Sequence, residues 1–275
     1  MWTPPPVSVD AELAKQAGDD LLYEVRDSVG YLTFNRPDAR NAMTFAMYER
    51  MAQICGEANE NKDIRALVLT GAGEKAFAAG TDMSQFRAFD KEEDAIAYEE
   101  RIDRTLGALE RCRVPTIAAI KGACAGGGAA IAACCDLRIA ARTSRFGFPV
   151  ARTLGNCLSM TNFARLADLI GTARAKDLIF RAKMIEAPAA LDYGFITEMV
   201  ETPEEVAPRA EEIARQITGY APLTLLAAKE ALLRLRPQMP PGGGRDLHLM
   251  CYMSEDFKEG MEAFLGKRPP VFKGR

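Results

Sequence analysis

A run of three glycines is the first place where this chain could do chemistry. Residues 114–133 read VPTIAAIKGACAGGGAAIAA. The first half is short, apolar and β-branched, as a buried strand would be. The second half turns at Gly126, Gly127 and Gly128 into an Ala/Ile helix. Glycines at a strand-to-helix turn let another group come close to the backbone. The first N–H groups of a helix have no intrahelical acceptor and stand at the positive end of its dipole. A negatively charged oxygen would be held there. Tight packing of the helix on a sheet would also call for small residues, so the run alone leaves both readings open. About 45 residues earlier lies a second turn of small residues, Ala78-Ala79-Gly80-Thr81-Asp82, again after a strand and before a helix. Two such turns, each aiming one N–H at the same point, would make an oxyanion hole, with two fixed donors about 3 Å from a developing enolate or tetrahedral oxygen.

Those turns need strands and helices to hold them. LLYEV (21–25) and YLTFN (31–35) alternate around residues 27–30 and read as a hairpin. Thr44 can cap a helix over 45–58, with Met47, Met51 and Ile54 on one face. ALVLT (66–70) reads as a buried strand, 75–82 as a small-residue loop and 91–111 as a charged helix. Strands are expected at 136–141, 146–149 and 196–200, a loop at 152–157, and helices at 159–169, 173–181 and 187–193, the last closed by Gly194. Amphipathic helices follow at 203–218 and 223–235, a linker at 237–244, one helix over 245–265 and a basic tail. Strands mixed with helices, then helices alone, predict an α/β core with a C-terminal helical subdomain.

A chain of 275 residues can bury a sizeable core. Its net charge of −3 gives no basic field for nucleic acid, and no apolar run approaches the ~20 residues of a membrane helix. The start, MWTPPPVSVD, lacks the basic and apolar regions of a signal peptide. Seven scattered cysteines without a CxxC pair fit free thiols in a reducing cytoplasm and no metal framework.

Five segments, taken in order, carry a resemblance: NRPDARNAM (35–43), ALVLTGAGEKAFAAGTDM (66–83), VPTIAAIKGACAGGGAA (114–130), CDLRIAARTSRFGFP (135–149) and SEDFKEGMEAFLGKRPPVF (254–272). On these the chain resembles the crotonase superfamily, the enoyl-CoA hydratase/isomerase family. The resemblance implies a spiral of ββα repeats at 21–200, after a weakly ordered arm at 1–20. It implies a C-terminal helical trimerisation subdomain at 201–275 and a homotrimer or dimer of trimers. It also implies an acyl-CoA substrate, with coenzyme A entering as part of the thioester and no permanent cofactor. The thioester carbonyl would lie between the N–H groups of Thr81 and Gly127. Ala39, Arg40 and Ala79 fall where relatives hold the adenine and its phosphates. Lys267 falls where a neighbouring subunit reaches the 3′-phosphate, a task for charge-assisted hydrogen bonds.

The family pattern fails at the proton-transfer groups. Hydration in relatives uses two glutamates, one to activate water and one to protonate carbon. The matching positions are Ala130 and either Val150 or Ala151. A third family position, an aspartate, falls on Ser159 by one alignment and Cys157 by another. Ser159 also reads as a helix N-cap, and Cys157 as a small buried residue or as a thiol activated by a helix N-terminus. Arg152 could clamp a substrate carboxylate or lie at the surface. Asp82 reads as a helix cap, Asp136 as a turn anchor, His248 of the last helix as a packing or surface residue, and Tyr252 of the same helix as a packing residue that could also reach an active site. The expectation is an acyl-CoA enzyme that stabilises an enolate or oxyanion without the two-glutamate route. The alternatives are an acyl-CoA-binding relative without catalysis and an ordinary hydratase with a displaced acid/base.

Overall fold

The structure is a computed structural model, described for residues 6–87, 89–236 and 243–275. In chain order the helices are α1 (Ala11–Lys15), α2 (Phe45–Glu60), α3 (Glu92–Glu110), α4 (Gly127–Cys134), α5 (Val150–Thr153), α6 (Met160–Ile170), α7 (Thr172–Phe180), α8 (Ala187–Tyr193), α9 (Pro203–Thr218), α10 (Pro222–Leu235), α11 (Arg245–Tyr252) and α12 (Glu255–Leu265). The strands are β1 (Leu21–Arg26), β2 (Val29–Phe34), β3 (Ala66–Gly71), β4 (Ala76–Ala78), β5 (Thr116–Ile120), β6 (Ala123–Ala125), β7 (Leu137–Ala141), β8 (Arg145–Gly147), β9 (Ile185–Glu186) and β10 (Glu198–Val200). They form a six-stranded sheet in the order β1-β2-β3-β5-β7-β10 and a four-stranded sheet in the order β4-β6-β8-β9. Beyond the β1/β2 hairpin the large sheet is parallel. The small sheet is parallel across β4, β6 and β8. Each of the pairs β3/β4, β5/β6 and β7/β8 thus gives one strand to each sheet, and the chain advances as a spiral.

A parallel sheet needs cover on both faces. In β3, Leu67 and Leu69 point into the main core with Phe34, Met47 and Ile120. The alternate residues, Ala66 and Val68, point outward and meet Val206, Ala210, Ala214 and Ile217 of α9. That i, i+4, i+8, i+11 stripe on α9 is what an amphipathic helix lying on a sheet presents. By contrast α10 buries no residue, and its Leu223, Leu232 and Leu235 are exposed.

Several expectations need correction. The segment before residue 21 is not a weakly ordered arm where it is described. Asp10 caps α1 by accepting from Leu13 N at 3.0 Å, and its own N–H donates to buried Glu49 at 3.0 Å. Arg104 holds the Ser8 carbonyl at 2.6 Å. Strands β4 and β6 were hidden in stretches read as loop and turn; three small residues carry no β-branched signal, and pairing within the second sheet creates them. The loop expected at 152–157 begins as the last turn of α5. The helix expected over 245–265 is two helices, because Ser254 caps α12 by accepting from Phe257 N at 3.0 Å. Most of the expected linker at 237–244 lies outside the described residues.

Candidate active site

The turn after β4 is locked by Met43. Its N–H donates to the Gly80 carbonyl and its carbonyl accepts from Asp82 N, both at 2.8 Å. This parallel bridge occupies the groups on either side of Thr81. The Thr81 N–H faces the other way and has no acceptor among the described residues. The glycine turn after β6 is set by Gly126, whose φ of 51° is open mainly to glycine. Gly127 then begins α4, where an N–H has no intrahelical acceptor. The two turns touch. A β-carbon placed on Gly127 would lie 3.3 Å from the Thr81 nitrogen, 3.1 Å from Thr81 Oγ1 and 2.2 Å from Tyr48 Oη. On Gly128 it would lie 2.1 Å from the Ala78 carbonyl oxygen, so this glycine serves the close packing of α4 on β4. The packing reading of the glycine run applies at Gly128, and the anion-holding reading concerns Gly127.

The Thr81 and Gly127 turns line a cavity of about 160 Å³. Ala130 of α4 and Val150 of α5 also line it, whereas Ala151 is exposed. The two positions matched to glutamates therefore present a methyl and an isopropyl group to the cavity. Polar groups come from elsewhere. Thr81 Oγ1 lies 3.1 Å from both Tyr48 Oη and Tyr98 Oη. Tyr252 also lines the cavity: its Oη donates to Glu99 Oε1 at 2.6 Å and accepts from Asn156 Nδ2 at 3.2 Å. Asn156 Oδ1 is buried without a hydrogen-bond partner among the described residues. Burial lifts the Glu99 carboxyl to about 8; the Tyr252 hydrogen bond opposes that rise and nearby Asp103 adds to it. A group with that pKa exchanges protons readily near neutral pH. A larger groove of about 580 Å³, lined by Arg104, Arg111, Arg165 and Arg234 among others, contains neither turn.

Glu99 was not singled out from the sequence. Its signal lies in the stripe Ala95, Tyr98, Ile102, Leu106 and Leu109, which forms the buried face of α3. Glu99 is four residues beyond Ala95 and three before Ile102, so it falls on that stripe. A carboxylate at an apolar position of an otherwise charged helix is the anomaly.

The other candidates separate. Ser159 is the N-cap of α6, accepting from Asn162 N at 3.2 Å and donating to Asp103 Oδ1 at 2.6 Å. Cys157 lines the cavity, but its thiol is pushed up by hydrogen bonding to Cys251 and by burial. It lies two residues before the cap, outside the reach of the α6 dipole, so the activated-thiol reading is corrected. Arg152 is exposed on α5 and does not line the cavity, which removes it as a clamp there. Asp82 caps a short 3₁₀ turn; burial opposes ionisation, but hydrogen bonds from Ser84 and Arg36 hold its carboxyl below the ordinary value. Asp136 accepts from Thr116 N at 2.8 Å and Lys229 Nζ at 2.7 Å, an anchor between strands. His248 is buried near Asp103, with Nε2 unpartnered among the described residues and its pKa lowered by desolvation. Tyr252, for which packing and reach into an active site were both open, lines the cavity.

Ala79 N donates to the Arg40 carbonyl at 3.1 Å, so Ala39, Arg40 and Ala79 form one exposed edge next to the Thr81 turn. Asn41, fully buried at φ 56°, fixes that edge by donating to the Ala72 and Ala76 carbonyls and accepting from Arg36 N. Lys267 is exposed beyond α12.

Residues 24–275 match the family model described as enoyl-CoA hydratase/isomerase. The chain is 35% identical over 255 residues to the short-chain-enoyl-CoA hydratase of Clostridium acetobutylicum, covering 91% of this chain and 96% of that protein. Among solved structures it is similar to carnitinyl-CoA hydratase from Mycobacterium avium, with 30% identity, a TM-score of 0.79 and coverage of 94% and 99%. It is also similar to a methylmalonyl-CoA decarboxylase in complex with 2-nitronate-propionyl-CoA, with 28% identity, a TM-score of 0.83 and coverage of 93% and 98%.

Proposed function

The chain belongs to the enoyl-CoA hydratase/isomerase family, and from that premise we propose that it is an acyl-CoA enzyme that holds the thioester oxygen between the N–H groups of Thr81 and Gly127. One observation carries the reading: two closely packed turns, whose Thr81 and Gly127 N–H groups have no acceptor among the described residues, line one cavity. Charge that develops on the carbonyl oxygen is stabilised there by fixed dipoles, which need no reorganisation as the reaction proceeds. Enolates and tetrahedral oxyanions both profit. With Ala130 and Val150 at the two positions matched to glutamates, the two-glutamate hydration route is not the one used.

Coenzyme A enters as part of the substrate. The exposed edge of Ala39, Arg40 and Ala79 leads into the Thr81 turn, which supports a nucleotide lying along it with the pantetheine arm passing inward. Lys267 of a neighbouring copy would reach the 3′-phosphate. The exposed leucines of α10 support a homotrimer or dimer of trimers, since such a row is normally covered. The test is binding and turnover of a panel of CoA thioesters, beginning with crotonyl-CoA. Saturable binding with turnover of at least one member is expected. Failure to bind any thioester would end the reading.

A further inference from the structure

Resting on that reading, we propose that Glu99 is the acid–base of this site: its free carboxyl oxygen takes a proton from the α-carbon of a short, uncharged 3-enoyl thioester and returns it to the γ-carbon. Three observations combine. Glu99 is the only Asp, Glu, Lys, Arg or His side chain that lines the cavity among the described residues. Tyr252 engages one oxygen, Oε1, and no partner takes Oε2 among the described residues. The cavity is small, and the Thr81 and Gly127 turns line it together with Glu99. An acyl thioester with its oxygen at those turns would place its first carbons in the same cavity of about 160 Å³ that Glu99 lines.

One carboxyl favours a reaction that moves one proton. Hydration asks for one group on water and another on carbon, and Ala130 and Val150 supply neither. A 1,3-proton shift needs a single group that takes and gives back. The α-C–H bond breaks, its electron pair moves into the thioester carbonyl, and the proton goes to Glu99. The resulting dienolate oxygen is held by the two N–H groups. The carbonyl then re-forms, a double bond forms between the α- and β-carbons, and the β,γ double-bond pair takes the proton back at the γ-carbon. No oxidant, reductant or water enters.

The same lining selects the acyl group. A carboxylate substituent would be buried beside Glu99 with no cation to meet it, which is costly. A malonyl-type substrate is therefore disfavoured, although the fold matches that of a decarboxylase; similarity of fold does not carry the reaction.

The groups facing Glu99 are Tyr48 of α2, Tyr98 and Asp103 of its own helix, Cys157 of the loop before α6 and Tyr252 of α11. None is a cation. The base form is the active one in the first step, so kcat/KM should rise with pH through about 8. Tyr252 is a positioning residue: its hydrogen bond opposes the upward shift of Glu99. Tyr252→Phe should move that rising limb to higher pH, which a purely structural loss would not do.

The test follows conversion of 3-butenoyl-CoA to crotonyl-CoA by the full chain, with crotonyl-CoA binding measured in parallel. Glu99→Gln should bind crotonyl-CoA as the unsubstituted protein does and lose about 10²–10⁴-fold in kcat, the usual worth of a positioned acid–base. A Glu99→Gln rate equal to that of the unsubstituted chain, an unmoved pH profile in Tyr252→Phe, or binding without any conversion by the unsubstituted chain would overturn the proposal and leave the oxyanion reading standing. Absence of binding by the unsubstituted chain would overturn both.

Discussion

Gly127→Ala tests the oxyanion reading through a contact whose size is known. The added β-carbon would lie 2.2 Å from Tyr48 Oη, and real β-carbon contacts essentially never fall below 3.0 Å. The two groups must separate by about 0.8 Å. Tyr48 is fully buried and hydrogen-bonded to Thr81, so the glycine turn takes most of the movement. A donor moved that far from an oxygen at about 2.9 Å no longer makes a hydrogen bond. Loss of one oxyanion donor costs about 10²–10³ in kcat, or about 3–4 kcal/mol. The backbone at 127 is outside the left-handed region, so an alanine there meets no φ penalty of its own. In a Tyr48→Phe background the 2.2 Å clash disappears and the nearest remaining contact is Thr81 Oγ1 at 3.1 Å. The double variant should therefore regain at least about tenfold over Gly127→Ala, roughly 1.4 kcal/mol. The assay is kcat on whichever CoA thioester turns over best, with melting temperature and crotonyl-CoA binding measured on each variant. Full activity in Gly127→Ala, or no recovery in the folded double variant, would refute the reasoning.

Further outcomes follow from other parts of the fold. Glu110 accepts from buried Arg165 at 2.8 and 3.0 Å and lies 2.7 Å from Arg236. Glu110→Ala strands a buried charge and should cost about 3–5 kcal/mol in urea unfolding. Burial opposes its ionisation, but the two guanidiniums hold this carboxyl below its usual 4.5, so its stabilisation is present above that pH and is lost as pH falls through the depressed value. Glu99 runs the other way. With its pKa raised from 4.5 to about 8, its native state is favoured at low pH and loses stability across that window, so Glu99→Gln should gain on the unsubstituted protein as pH rises from 5 to 8 in thermal melts. Ser159→Ala should lower stability by about 1–2 kcal/mol, the worth of an N-cap, without the thousandfold loss expected of a nucleophile. Exposed Arg152→Ala should change stability by less than about 0.5 kcal/mol and leave kcat/KM near that of the unsubstituted chain. Charged substitution of exposed Leu232 and Leu235 should shift the proposed trimer toward monomer by light scattering.

The long elements were legible in the sequence because each carries its own pattern. The hairpin, β3, β5, β7, α2 and α9 announce themselves by alternation, β-branching or an amphipathic stripe. The short strands of the second sheet do not, because three small residues become a strand only when neighbouring turns of the spiral pair with them. The two small-residue turns stood out because both lie at strand-to-helix junctions, although close packing of α4 on β4 asks for the same residue types. Proton-transfer groups were sought at Ala130 and at Val150 or Ala151, all of which are apolar. Glu99 came into view only when α3 was packed, since its neighbours Tyr98 and Ile102 are close on the helix but Tyr252 lies 153 residues away. Sequence spacing could not join those two residues. Arg152 misled for the converse reason: a charged residue near a presumed pocket gives no hint of which way its helical turn faces.

A crystal structure with crotonyl-CoA bound would test the central claim most directly. The account predicts the thioester oxygen at about 2.7–3.1 Å from both the Thr81 and Gly127 nitrogens, the geometry of a working oxyanion hole. An oxygen bound by one of them alone, or lying outside this cavity, would contradict it.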